Sequence, residues 1–244
     1  MCCLCSKTLI VLWNLLQTRG MVRLFKCRLL ASCPFALIIH ATPSLYRSYV
    51  ASTGIHTASV LLTSAGHYSL SVQLATPGGI SAAYYESAWP STTPSSLLVD
   101  STIGMHAGSD TDGVYSGFSS VRWSGRISSS SSGLHTFYVT SQSGSRCWID
   151  GNLLLDRWVS QCNLTAFTFK MQASALHLIQ FDARLSGVST PIHLQWESAA
   201  FPRQFVDSRQ LFSTAHVSGS PFDLLVAAAA ACASTSTALL RGDV

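Results

Sequence analysis

Between Phe118 and Trp158 apolar and polar residues alternate in two runs, separated by a serine-rich spacer. Val121, Trp123 and Ile127 are the apolar positions of the first run; Phe137, Val139, Cys147 and Ile149 are those of the second. A period of two puts every second side chain on one face of a strand. The second run folds back at Asp150-Gly151, a pair that predicts a two-residue hairpin because both turn residues take positive φ. Alternation recurs at Leu164–Phe169, through LHLIQFDARLSG, and at PIHLQW from Pro191 to Trp196. Upstream, Tyr49 to Leu74 holds two further runs around Ser64-Ala65-Gly66, with Val60, Leu62, Tyr68, Leu70, Val72 and Leu74 apolar. Many short strands with turn signals at roughly 8–12-residue spacing predict an all-β fold, an antiparallel sandwich or barrel. The prediction covers Gly78 to Phe212, with the Asp150-Gly151 hairpin central and Val121, Trp123, Phe137, Val139, Leu194 and Trp196 facing inward.

VRWSGRI, GLHTFYV, GSRCWIDG and the closing Trp158 together resemble the protective-antigen-type (PA-fourteen) module, a lectin-like β-sandwich found in adhesins, toxins and glycosidases. PGGISAAYYES resembles the family's entry strand, Asp100 with Ile103 its D-x-x-I, and PIHLQW its terminal strand. Val206 to Phe212 resembles the closing motif, with Asp207 where the family has Pro. On either side, AGHYSLSV from Ala65 and GSPF from Gly219 resemble strands of a filamin-type immunoglobulin-like repeat. The expected organisation is therefore a signal-like or non-native segment at 1–44, the C-terminal part of a filamin-type repeat at 45–76, the module at 77–213, and the start of a truncated repeat at 214–244. Ala227 to Ala231 also reads as a helix start, since Ala is the best helix former.

Charge narrows the function classes. Charged residues are 11% of the 244 and hydrophobic ones 48%, with a net charge of +4. Much of the basic excess lies in the first fifty residues, at Lys7, Arg19, Arg23, Lys26, Arg28 and Arg47. No basic stripe interleaves with aromatics, so nucleic acid is not an expected partner. The apolar runs Leu9–Leu16 and Leu29–Ile39 fall short of the roughly 18–20 residues of a membrane span, so no clear transmembrane segment is expected. Of eight cysteines, five precede Pro34 without a second half at metal-site spacing. Cys147 and Cys162 bracket the hairpin. They can pair in an oxidising compartment, or Cys147 can pack as a small hydrophobe.

Chemistry is sparse. There is no G-x-S-x-G, H-E-x-x-H or phosphate loop. The two glutamates, Glu86 and Glu197, offer no carboxylate pair for glycoside hydrolysis. No catalytic residue and no cofactor is expected. Lectin members of the family bind calcium through adjacent aspartates; the matching positions here are Gln142 and Ser143, so calcium is not expected there, because a hard divalent ion needs carboxylate oxygens. Asp110 and Asp112 begin a calcium-type loop that lacks its later ligands, and with Gln142 and Ser143 they form the candidate ligand loop. Trp123, Trp148 and Trp158 read as a sugar platform or, more often for strand positions, as core. Asn163-Leu164-Thr165 is a glycosylation sequon. Arg241-Gly242-Asp243 spells an integrin-type tripeptide at the end of the chain.

The resemblance implies a non-catalytic extracellular binding or adhesion module, secreted or at the cell surface, with glycans or surface and matrix proteins as partners. Its rivals are a structural spacer without ligand and an accessory domain of a larger glycosidase.

Overall fold

The computed structural model describes residues 12–17, 23–30, 36–40, 45–47, 55–62, 66–90, 93–105, 117–159, 162–185, 191–216 and 220–226. The first strands are β1 (Leu12–Gln17), β2 (Arg23–Leu30), β3 (Ala36–His40), β4 (Leu45–Arg47), β5 (Ile55–Leu62) and β6 (Gly66–Pro77). Then come β7 (Ile80–Tyr85), β8 (Ser96–Asp100), β9 (Gly104–Met105), β10 (Ser120–Ile127), β11 (Gly133–Ser141), β12 (Ser145–Ile149) and β13 (Asn152–Asp156). The last are β14 (Cys162–Met171), β15 (His177–Arg184), β16 (Ile192–Ser198), β17 (Phe201–Phe205), β18 (Leu211–His216) and β19 (Phe222–Val226). The described residues fall into two compact units, one being Leu74–Ala215 and the other the residues on either side of it.

In the flanking unit β1, β2, β5 and β4 form an antiparallel sheet in that order. β1 and β2 thus lie within the segment read from sequence as signal-like or non-native. β19 pairs antiparallel with β6, Phe222 opposite Leu70 and Val226 opposite Gly66. The alanine run at 227–231, the tripeptide at 241–243 and the loop with Asp110 and Asp112 lie outside the described residues.

The central unit is an open sandwich of two antiparallel sheets rather than a closed barrel. One sheet runs β13-β12-β15-β10, with β7 and β18 sharing the far side of β10 and β8 outside β7. The other runs β14-β11-β16-β17, with β9 on β16. One apolar cluster joins them. Val121, Trp123, Phe137, Val139, Leu194 and Trp196 all belong to it, as the alternation predicts. Burying a large apolar side chain contributes about 1.5–3 kcal/mol, so these faces set the strand register. A one-residue slip would turn each set outward.

The hairpin is at the edge of its sheet, not at its centre. β13 is the edge strand and β12 joins it to β15, while β10 lies further in, with β15 on one side and β7 and β18 on the other. Asp150 (φ 50°) and Gly151 (φ 80°) make the turn with the positive φ values expected. Asp150 Oδ1 accepts from Leu178 N at 2.8 Å and Oδ2 lies 2.7 Å from His177 Nδ1, tying the turn to β15.

Asp207, standing where the family has Pro, caps a short 3-10 turn at Ser208–Gln210. It accepts from Arg209 N at 2.8 Å, while Gln210 Oε1 accepts from Asp207 N at 3.0 Å. The Arg209 side chain pairs with the same carboxylate and holds it down to about 2.

Candidate functional site

The strands of the hairpin sheet carry a row of alternating charge across their outer face. Arg122 stands opposite Asp182, Asp182 opposite Arg146, and Arg146 opposite Asp156, across β10, β15, β12 and β13. This register follows from the inward set, since fixing Trp123, Phe181, Cys147 and Leu155 in the core places their neighbours on the outside. Arg122 grips Asp182 in a bidentate pair, Nε to Oδ1 and Nη2 to Oδ2 at 2.7 Å each. Asp182 is buried at 3% exposure, and its hydrogen bond raises the pKa of Arg122.

Arg146 is held differently. Its Nε donates to Asp156 Oδ1 at 2.9 Å, which lowers the Asp156 carboxyl below its ordinary value. Its Cζ lies 4.9 Å from the ring centroid of Trp89 and 5.4 Å from that of Trp158. The two indoles pack against each other in a tilted arrangement, centroids 4.7 Å apart and 31° between planes. Trp158 is buried, whereas Trp89 is 54% exposed. Among the described residues the two Nη atoms of Arg146 and Oδ2 of Asp156 have no hydrogen-bond partner.

Beside this cluster runs the loop between β11 and β12. Ser141 Oγ donates to the Ser143 carbonyl at 2.7 Å and accepts from Ser143 N at 3.3 Å, so the turn is held from within. Gln142 is exposed at its tip. Gly144 then passes directly under the Trp158 backbone. A Cβ there would meet the Trp158 carbonyl oxygen at 1.9 Å, so only glycine lets the loop and Trp158 approach this closely. Arg157 and Ser145 exchange backbone hydrogen bonds at 2.9 and 3.3 Å, and Arg184 N donates to Gly144 O at 2.8 Å.

The other residues read from sequence are placed as follows. Trp123 is core, with Nε1 donating to Asp100 Oδ2 at 2.7 Å, and Trp148 is half-buried. The indole that faces solvent is instead Trp89, from WPSTTP. Its signal was a large aromatic in a proline- and serine-rich loop, where no alternation provides a core position for it. Cys147 is a free, fully buried thiol whose pKa is raised by burial. It lies on β12, while Cys162 lies on β14 of the other sheet; the side chains of Cys162 and Asn163 are outside the described residues. No cluster of three or more His, Cys, Asp or Glu side chains at metal-binding distance occurs among the described residues. No described helix is long and apolar enough to cross a membrane.

Residues 76–181 match the PA14 domain. The PA14 match covers this stretch of the central unit and not the whole chain. Ninety-four residues are 30% identical to the anti-sigma-I factor RsgI3 of Acetivibrio thermocellus, which is 38% of this chain but only 15% of that relative. Among solved structures, an anti-sigma factor domain-containing protein superposes with a TM-score of 0.51 at 18% identity, covering 79% of this chain and 84% of that one. A PA14 sugar-binding domain from an RTX adhesin gives a TM-score of 0.46 at 14% identity over 56% of this chain and 98% of that one. In this PA14 unit the Trp89–Arg146–Trp158 cluster and the Gln142–Ser143 loop occupy one corner, joined through Gly144.

Proposed function

We propose that this chain is a non-catalytic binding module, secreted or at the cell surface, whose PA14 unit binds carbohydrate without calcium at the Gln142–Ser143 loop. The observation that carries the reading is the half-exposed indole of Trp89, backed by Trp158 and edged by a guanidinium and a carboxylate. Sugar rings present C–H faces that lie on aromatic surfaces, and their hydroxyls need adjacent donors and acceptors. Trp89, Arg146 and Asp156 supply all three. Flanking parts of a filamin-type repeat would present the unit within a longer surface protein. The whole-protein activity of the anti-sigma-I relative is not carried over, because the match spans so little of it.

A glycan array probed with the full chain tests the reading. Binding to a subset of glycans, equal in calcium and in EDTA and lost in Trp89→Ala, is the expected result. No binding under either condition would overturn it and leave the unit as a spacer.

A further inference from the structure

We infer that the Trp89–Arg146 corner selects acidic saccharides, taking a sugar carboxylate end-on at the Nη atoms of Arg146 while the ring lies on Trp89. The inference rests on the carbohydrate-binding reading above and adds the ligand's charge.

The guanidinium is fixed before any ligand arrives. Asp156 engages it only through Nε, and both indoles pack against one side of its Cζ. That leaves the two Nη groups as a pre-oriented fork without an acceptor among the described residues. A planar fork of this kind matches the two oxygens of a carboxylate, whereas a neutral hydroxyl engages it through one oxygen. Packing against aromatic faces removes competing water from one side of the cation and spares the entropy of ordering the side chain on binding.

The surroundings carry the same sign. The Gln142–Ser143 loop contributes no acid. Arg184 and Arg157 bracket it through their backbone bonds to Gly144 and Ser145, and both side chains are exposed with no carboxylate partner among the described residues. Asp182, the buried acid of this face, is already neutralised by the bidentate Arg122. Among the described residues the opposing charges are Asp156, committed through Oδ1 to Arg146, and Glu86, exposed three residues before Trp89. Three arginines against these two acids leave the described part of the corner richer in donors than in acceptors. A neutral sugar needs both in balance; a uronate supplies the missing acceptors.

Affinity electrophoresis of the full chain, in EDTA, through gels containing carboxymethyl cellulose or hydroxyethyl cellulose separates charge from sugar. The two polymers share a glucan backbone and differ in the carboxylate. Retardation by the carboxymethyl polymer should exceed that by the neutral one by about tenfold, the scale of one charge-assisted bidentate contact. Trp89→Ala and Arg146→Gln should each abolish the retardation. Arg146→Lys, which keeps the charge and loses the fork, should remove most of it. Arg184→Gln, on an exposed side chain with no carboxylate partner among the described residues, should weaken it several-fold. Equal retardation by both polymers that is lost in Trp89→Ala would overturn the acidic selectivity and keep the carbohydrate reading. Carboxymethyl retardation unchanged in Trp89→Ala and Arg146→Gln would show surface charge only and overturn the site. Failure in both gels with array binding intact would overturn this inference alone; failure in the array as well would overturn both.

Discussion

Asp100 shows at the scale of one residue how burial and hydrogen bonding compete. Its Oδ2 accepts from Tyr84 Oη at 2.6 Å and from Trp123 Nε1 at 2.7 Å. Burial nonetheless wins and raises its pKa above 3.8, the two hydrogen bonds offsetting part of the shift. The folded chain therefore holds this proton more tightly than the unfolded one. The resulting stability is fully present below the unfolded pKa and is lost as pH rises through the raised folded value. Asp100→Asn should remove that component. The difference in urea midpoint between variant and parent should grow in favour of the variant across this window, and a flat difference would refute the assignment. Gly144 acts by size alone. Gly144→Ala should lower stability by about 1–3 kcal/mol, the usual consequence of forcing an atom into filled space, and should separate Trp158 from Trp89. Thermal melts and the exciton signal of the paired indoles in circular dichroism would read both effects. At Gln142 and Ser143 two neutral side chains cannot offset the dehydration of a divalent ion. Calorimetry should find no calcium site there in the micromolar range, and Gln142→Asp with Ser143→Asp should create one.

The β12–β13 hairpin is the element whose form was most directly written in residue types. Asp-Gly demands positive φ at both turn positions and receives it. Nothing lies within 4 Å of where a Cβ on Gly151 would be, so Gly151→Ala tests the backbone term by itself. It should destabilise the unit by about 1–2 kcal/mol, the cost of a left-handed conformation for an L-residue, measured by chemical denaturation. Asp150→Asn tolerates the same φ and can still accept from Leu178 N, so its effect should be smaller. A larger effect for Asp150→Asn than for Gly151→Ala would mean that the contact with His177 outweighs the turn. What the turn chemistry could not give was the hairpin's place in the sheet. A hairpin specifies its own two strands, and its outer neighbours are chosen by which other strands bury their apolar faces beside it.

At the scale of the molecule, Leu74–Ala215 has its own core and short links between its ends. Gly78 N and Gly79 N donate to Leu211 O at 3.2 and 3.3 Å, so entry and exit strands lie together. A polypeptide of residues 74–215 should fold by itself with one cooperative transition and a denaturant midpoint close to that of the same unit in the full chain. Loss of cooperativity on excision would show that the flanking strands contribute to this core.

The alternation of Val121, Trp123, Phe137, Val139, Leu194 and Trp196 determined the fold, because a period of two with aromatic and branched residues has one low-energy solution, a strand buried on one face. Asp150-Gly151 determined the turn for a similarly local reason. The functional corner was not legible in this way. Trp89 sits in a loop, Arg146 mid-strand and Trp158 twelve residues further on, and no period or motif links them. They meet because the hairpin register sets Arg146 opposite Asp156 and because Gly144 lets the Trp158 backbone close over the loop. Strand pairing and close packing are long-range, and only the tertiary structure could decide which exposed indole would stand beside which cation.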